Sequence, residues 1–235
     1  MRRAKSIHCD LGDEKTEMEL EITSLHNAPI DEVTYLVSRD DWNDAIVIDP
    51  CGYERIAETL KSQGKTCAYI LLTHEHYDHI GAVNDLRHAT GGQIIASVSC
   101  AQAARDPHAN LSAFYDALIE LHGAADWSNI TPRYKMVPAD FTFNESYHFS
   151  FHDLDVCFVE TPGHSPGSCC IEMENLVFTG DTLLRDVPVL TRCPHGSKKI
   201  YKEFALPYLK SIDKQKLIYP GHGRPFLMRD SKYIH

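Results

Sequence analysis

The sequence predicts an α/β protein made of two β-sheets packed face to face, with helices on their outer faces. Three observations carry that expectation. Strand-like apolar runs recur in both halves of the chain, separated by polar turns. Segments with helical spacing of apolar residues fall between several of them. Side chains of metal-ligand type stand just after strands from both halves, so the ends of two sheets must meet at one place.

The first half opens with Val33-Thr34-Tyr35-Leu36-Val37 and Ala45-Ile46-Val47-Ile48-Asp49, which read as paired strands joined by the polar turn Asp40-Asp41-Trp42-Asn43-Asp44. Tyr53, Ile56, Ala57 and Leu60 then recur at helical spacing, and Gly64 ends that helix. The strand Ala68 to Leu72 leads into Thr73-His74-Glu75-His76-Tyr77-Asp78-His79. Ile80 to Ala89 predicts a helix stopped by Gly91-Gly92, followed by the strand Ile94-Ile95-Ala96. The chain is then helical and less regular through His122. Strands are expected again at Tyr147 to Phe151, Leu154 to Val159, Ser168 to Ile171 and Leu176 to Thr179. A helix carrying Ile200, Phe204 and Tyr208 precedes the strand Lys216 to Tyr219, and Pro207 should kink or split it.

The run from Thr73 to His79 carries the most chemistry. In a short loop after a buried strand, alternate side chains converge, so His74 and His76 can address one cation. Asp78 and His79 can address a second. Imidazole nitrogen and carboxylate oxygen are ligands that Zn²⁺, Fe and Mn accept. The competing reading is a surface histidine cluster in which Asp78 caps a helix starting at His79. Three later segments each add one residue of the same type. Thr161-Pro162-Gly163-His164 offers His164, Phe178-Thr179-Gly180-Asp181 offers Asp181, and Tyr219-Pro220-Gly221-His222 offers His222. Each sets a Gly before the ligand-type residue, where tight or left-handed backbone is expected. The combined set suffices for two metals sharing one carboxylate.

H-x-H-x-D-H with the separate His164, Asp181 and His222 resembles the metallo-β-lactamase superfamily, and within it the glyoxalase II-like hydrolases, from about Glu19 to His222. The resemblance implies a four-layered αββα sandwich. By motif, His74, His76 and His164 would hold one metal, Asp78, His79 and His222 a second, and Asp181 would bridge both. It implies two divalent ions, zinc by first choice, with iron or manganese accepted by the same ligands. True metallo-β-lactamases of similar layout have Cys or Ser in place of Asp181, which disfavours antibiotic hydrolysis. Flavodiiron-type members have Glu in place of His76, and one-metal persulfide dioxygenases lack a second set as complete as this. Only thirteen residues follow His222, so the helical domain that binds glutathione in glyoxalase II is not expected, and that substrate is not carried over.

The expected activity is hydrolysis by a binuclear centre, a metal-bridging hydroxide attacking a thioester or related acyl substrate. A thiolate leaves without a general acid, which suits a site whose ionisable groups are nearly all ligands. Asp78 is expected to be catalytic as well, accepting a hydrogen bond from the nucleophile. Asp49 either orients a ligating histidine or simply ends its strand in the turn Asp49-Pro50-Cys51-Gly52. Arg185, Arg192, His195, Lys198 and Lys199 form a basic stretch after Asp181. Arg192, His195 and Lys198 are the candidates for binding an anionic acyl substrate, and a solvated loop is the equal alternative. The aromatics of Asn110-Leu111-Ser112-Ala113-Phe114-Tyr115 either line the pocket or pack in the core. Other chemistries open to the ligand set are phosphodiester hydrolysis, including nuclease action, and lactone or lactam hydrolysis. A metal-loaded module without turnover is the non-enzymatic alternative.

Composition narrows the partners. A chain of 235 residues suffices for one domain spanning 1–235 with a short flexible N-terminus at about 1–17. Its hydrophobic content of 43% and charged content of 24% are those of a soluble globular protein. A net charge of −10 argues against nucleic acid and anionic membranes as partners, as does the want of an inserted RNA-gripping arm. Met1 to Lys5 is basic but no apolar stretch follows it, so no signal peptide is expected, and no apolar run is long enough to span a membrane. Eight cysteines without a secretory signal or a C-x-x-C pair read as reduced thiols, and the expected compartment is the cytosol. The oligomeric state is left open.

Overall fold

In the computed structural model, residues 19–28, 31–114, 117 and 133–234 are described. The N-terminus expected to be flexible, Tyr115, and most of the irregular stretch that follows lie outside them. The first half of the chain supplies β1 (Glu21–Asn27), β2 (Glu32–Ser38), β3 (Asp44–Ile48), β4 (Thr66–Leu71), β5 (Gln93–Ser97) and β6 (Phe141–Phe143), which form one sheet in that order. The second half supplies β7 (Ser146–Phe151), β8 (Leu154–Glu160), β9 (Cys169–Met173), β10 (Leu176–Gly180), β11 (Leu217–Pro220) and β12 (Phe226–Leu227), ordered β12-β11-β10-β9-β8-β7. Both sheets are mixed: β3 to β6 run parallel, as do β10 and β11, and the remaining neighbours are antiparallel.

The twofold periodicity of the strands builds the layers. On β3, Ile46 and Ile48 face the second sheet and meet Phe158, Ile171 and Phe178. Ala45 and Val47 face the other way, toward α1 (Tyr53–Ser62), α3 (Val83–Thr90) and α4 (Val98–Ala103), where Ile56, Leu60, Leu86 and Cys100 are buried. The outer face of the second sheet is covered from the chain's last third, with Tyr201 and Leu209 against Val177 and Ile218. The result is the expected α-β-β-α order.

Several elements depart from expectation. β1 was not expected, because Ile22 and Leu25 are its only strongly apolar residues; seven residue pairs with β2, from Glu21↔Ser38 to Asn27↔Glu32, make it. The single helix expected at 80–89 is two pieces, α2 (Tyr77–Ile80) and α3. The chain leaves helical geometry at Ala82 (φ −102°, ψ 3°), whose N–H donates to the Pro50 carbonyl at 2.9 Å. Gly64 ends α1 as expected, with φ +66° and its N–H on the Lys61 carbonyl. The C-terminal helix is split as Pro207 required: α5 (Lys198–Ile200) passes into a π-helical stretch (Tyr201–Ala205) and then α6 (Leu206–Ser211). Pro207 stands in the first turn of α6, where its missing N–H does least harm, and the widened turn before it absorbs the mismatch.

Candidate metal centre

The loop after β4 is held from below by Asp49. That residue ends β3 in a left-handed conformation (φ 50°), and its carboxylate accepts from Thr73 N at 2.8 Å and Thr73 Oγ1 at 2.5 Å. Its Oδ2 also lies 3.1 Å from His79 Nδ1. Both sequence alternatives therefore hold: Asp49 ends the strand and orients a histidine. Asp78 does not cap α2. The cap position is His76, no side chain bonds there, and Asp78 sits inside the first turn.

The nitrogens of His74, His76 and His164 converge in one group, all within 4.8 Å of one another and all buried. His164 Nε2 is 3.0 Å from His76 Nδ1. Its Nδ1 is 2.8 Å from the Leu190 carbonyl, an acceptor only, so Nδ1 donates there and Nε2 is the atom turned to the group. Asp78, His79 and His222 form a second group under the same limit. His222 Nε2 lies 3.5 Å from Asp78 Oδ2 and 3.5 Å from Asp181 Oδ1; His79 Nε2 is 3.6 Å from each of the same oxygens. Asp181 joins the groups, because its other oxygen, Oδ2, is 3.6 Å from His164 Nε2.

Glycine makes the approach possible, for two different reasons. Gly180 takes φ +47°, as expected of a tight strand end. Gly221 does not have positive φ; it is needed for space, since a Cβ there would strike Asp181 Oδ1 and come within 2.7 Å of the His79 ring.

The two groups differ in charge. Burial and the neighbouring His164 push His76 down to about 3, and burial with His79 and His76 nearby holds His74 well below the usual imidazole range. His74 and His76 are thus held toward their neutral, lone-pair-bearing forms. In the second, burial disfavours charge on His79, but Asp78, Asp49 and Asp181 outweigh it and raise the group to about 10. Burial likewise opposes charge on His222, yet Asp181 and Asp78 lift it to about 12. Burial would raise Asp78, but His79 and His222 bring it to about 2, and Asp181 is held well below the carboxylate range by His222, His79 and His164 against the same burial. His74 Nε2, His79 Nε2 and Asp181 Oδ1 are buried without a hydrogen-bond partner. Polar atoms in that condition are costly, and a cation at each group would satisfy them. The donor set fits divalent metal.

Arg192, His195 and Lys198 are exposed, outside the cluster. Their backbone is tied to the first group, through Leu190 to His164 and through Ser197 N to the Gly163 carbonyl at 2.8 Å. Asn110 proves structural: its side-chain amide donates to the Ala104 and Tyr134 carbonyls, and its own carbonyl accepts from Tyr77 N. Phe114 is 46% exposed, so the core reading fails for it. Glu75 and Ser165, absent from the expected site, are both buried and share a hydrogen bond of 2.8 Å. Burial pushes Glu75 up to about 7, against the hydrogen bonds from Ser165 and backbone N–H groups. A carboxylate placed by alternation on the interior side of H-x-H was the available signal.

The chain matches the metallo-β-lactamase superfamily model over residues 29–222 and belongs to that superfamily. It is 31% identical over 195 residues to a probable metallo-hydrolase of Streptococcus pyogenes serotype M6, covering 82% of this chain and 79% of the relative. A hydroxyacylglutathione hydrolase of Haemophilus influenzae is 27% identical, with 78% and 82% covered. Among solved structures, the BLEG-1 B3 metallo-β-lactamase superposes with a TM-score of 0.74 at 24% identity, over 89% of this chain and 95% of that one, a likeness of fold.

Proposed function

We propose that the protein is a binuclear metallohydrolase acting on an anionic thioester or related acyl substrate. The carrying observation is the divided carboxylate of Asp181, with Oδ2 toward His164 and Oδ1 toward His79 and His222. His74, His76 and His164 would hold one ion, Asp78, His79 and His222 the other, and Asp181 both. Such ions, zinc by first choice and iron or manganese as alternatives, supply Lewis acidity and a water ionised near neutral pH. Asp49 keeps the His79 ring oriented by accepting from Nδ1, and the Leu190 carbonyl does the same for His164. Asp78 accepts a hydrogen bond from the attacking water. With the ionisable groups engaged in this way, a leaving group that departs as an anion suits the site, and a thiolate does so. A panel of acyl-thioesters, lactones and bis-p-nitrophenyl phosphate tests the substrate class. Thioester turnover should exceed the rest, and a clear preference for the phosphodiester would overturn the assignment.

The metal count is a separate test. Freshly purified protein should contain close to two transition-metal ions per chain, and His222→Ala should lose one. Recovery of one ion or fewer, unchanged by His222→Ala, would remove the binuclear reading.

Arg192, His195 and Lys198 form the proposed anion-binding rim, held beside His164 by the segment 190–197. Arg192→Ala should raise KM with kcat little changed, since the contact is similar in ground and transition states. Attraction across water is screened by salt, so the wild-type KM should climb with ionic strength and the variant's much less. Equal KM values at low salt would sink the rim assignment. We read residues 1–235 as one domain. Among the described residues no helix is long and apolar enough to cross a membrane, and the seven cysteines there are free thiols, which supports a cytosolic location.

A further inference from the structure

Glu75 stands between His74 and His76, yet its side chain turns away from both into the interior, where it is 1% exposed. Its Oε2 accepts from the Ser165 hydroxyl at 2.8 Å, and the backbone N–H of Gly167 also bonds to the carboxylate. These partners lie in the loop that carries His164. The loop is further knit by Ser165 Oγ and Ser168 Oγ at 2.9 Å, and the Ser97 hydroxyl donates to the Gly167 carbonyl at 3.0 Å. Gly167 has no room for a side chain, because a Cβ there would overlap Glu75 Oε2 and Cys100.

A buried carboxyl bonded to neutral donors contributes little to stability compared with an apolar side chain of similar volume. Its effect on geometry is larger. The Glu75 to Ser165 bond joins the residue next to His76 with the residue next to His164, so the two loops are tied twice, here and at the 3.0 Å approach of His76 Nδ1 and His164 Nε2. The Leu190 carbonyl fixes the ring of His164, and Glu75 fixes the backbone beneath it. Resting on the two-metal reading above, we propose that Glu75, acting through Ser165, is a positioning residue for the first metal group, setting the separation of His76 and His164.

The test is the affinity of the metal-free protein for zinc, by competition with a chromogenic chelator, in wild type, Glu75→Ala, Ser165→Ala and the double variant. Each is also made in a His222→Ala background, which isolates the first group. Both single variants should weaken the constant of the first group by about ten- to a hundredfold, the scale for a lost partner of a metal ligand. The second group's constant should hold. The double variant should be no weaker than the worse single one, because both remove the same bond. Unchanged affinity at the first group, parallel loss at both groups, or additive losses would each overturn the proposal. Should Glu75→Ala fail to fold, judged by its thermal transition, Ser165→Ala decides alone. Wild type binding two ions while the variants match it defeats only the role of Glu75; wild type binding fewer than two defeats the binuclear reading itself.

Discussion

Asp181→Ala should lower kcat by about a hundredfold or more and reduce the metal content of the purified protein. The expectation follows from geometry, because this one carboxylate lies within 3.6 Å of nitrogens in both histidine groups. Its charge also acts with that of Asp78 on His222 and His79, so its loss leaves Asp78 to face both Nε2 atoms while Asp49 stays on His79 Nδ1. Asp181→Asn keeps the volume and removes the charge, and should resemble Asp181→Ala if charge on the shared ligand is what matters. Asp78→Ala should cut kcat by a similar factor yet spare the first ion, since among the described residues its ion-pair contacts are with His79 and His222. Metal analysis together with steady-state rates distinguishes the cases. Retention of two ions by Asp181→Ala would end its assignment as the shared ligand.

The second large effect is expected at Asp49, and it concerns stability as well as activity. This side chain is 2% exposed and holds Thr73 N, Thr73 Oγ1 and His79 Nδ1. Asp49→Ala would strand buried donors in the segment 73–79, which carries four of the proposed ligands, His74, His76, Asp78 and His79. Removing one partner of a buried charged pair costs about 3–5 kcal/mol, and a loss of that order is expected. For a chain of this size, that corresponds to a fall of about 6–20 °C in the unfolding midpoint. Asp49→Asn keeps one of the two acceptor oxygens and should fall between. A midpoint for Asp49→Ala within about 2 °C of wild type would show that the network contributes little.

The two-sheet design, the split helix at Pro207 and the residues that gather at the centre were all legible in order along the chain. Period-two apolar runs specify which face of a strand is buried, and β2, β3, β8 and β10 read clearly for that reason. H-x-H-x-D-H is equally local, since alternation alone sends His74 and His76 the same way. β1 was missed because its own apolar content is low, β12 because it has two residues, and β6 because it has three and its pairing partner, β5, lies more than forty residues earlier in the chain. The break between α2 and α3 has the same origin, in the bond from Ala82 N to the Pro50 carbonyl.

Sequence by itself thus determined the class of fold, the chemistry of the donor set and the family. These depend on residue type and short-range spacing. Only the tertiary structure decided how the donors are shared: that Asp181 turns one oxygen to each group, that Asp49 bonds both Thr73 and His79, and that Glu75 reaches Ser165. Those contacts join residues 17 to 102 positions apart, brought together by the packing of two sheets, and no local period records which strand ends will meet. Tertiary structure also set the reason for Gly221, which sequence assigned to backbone freedom and packing assigns to the space claimed by Asp181 and His79. The proposed basic rim lies between these cases: its residues are plain in the sequence, but the tie of its backbone to the His164 loop comes from the bonds of His164 to Leu190 and of Ser197 to Gly163.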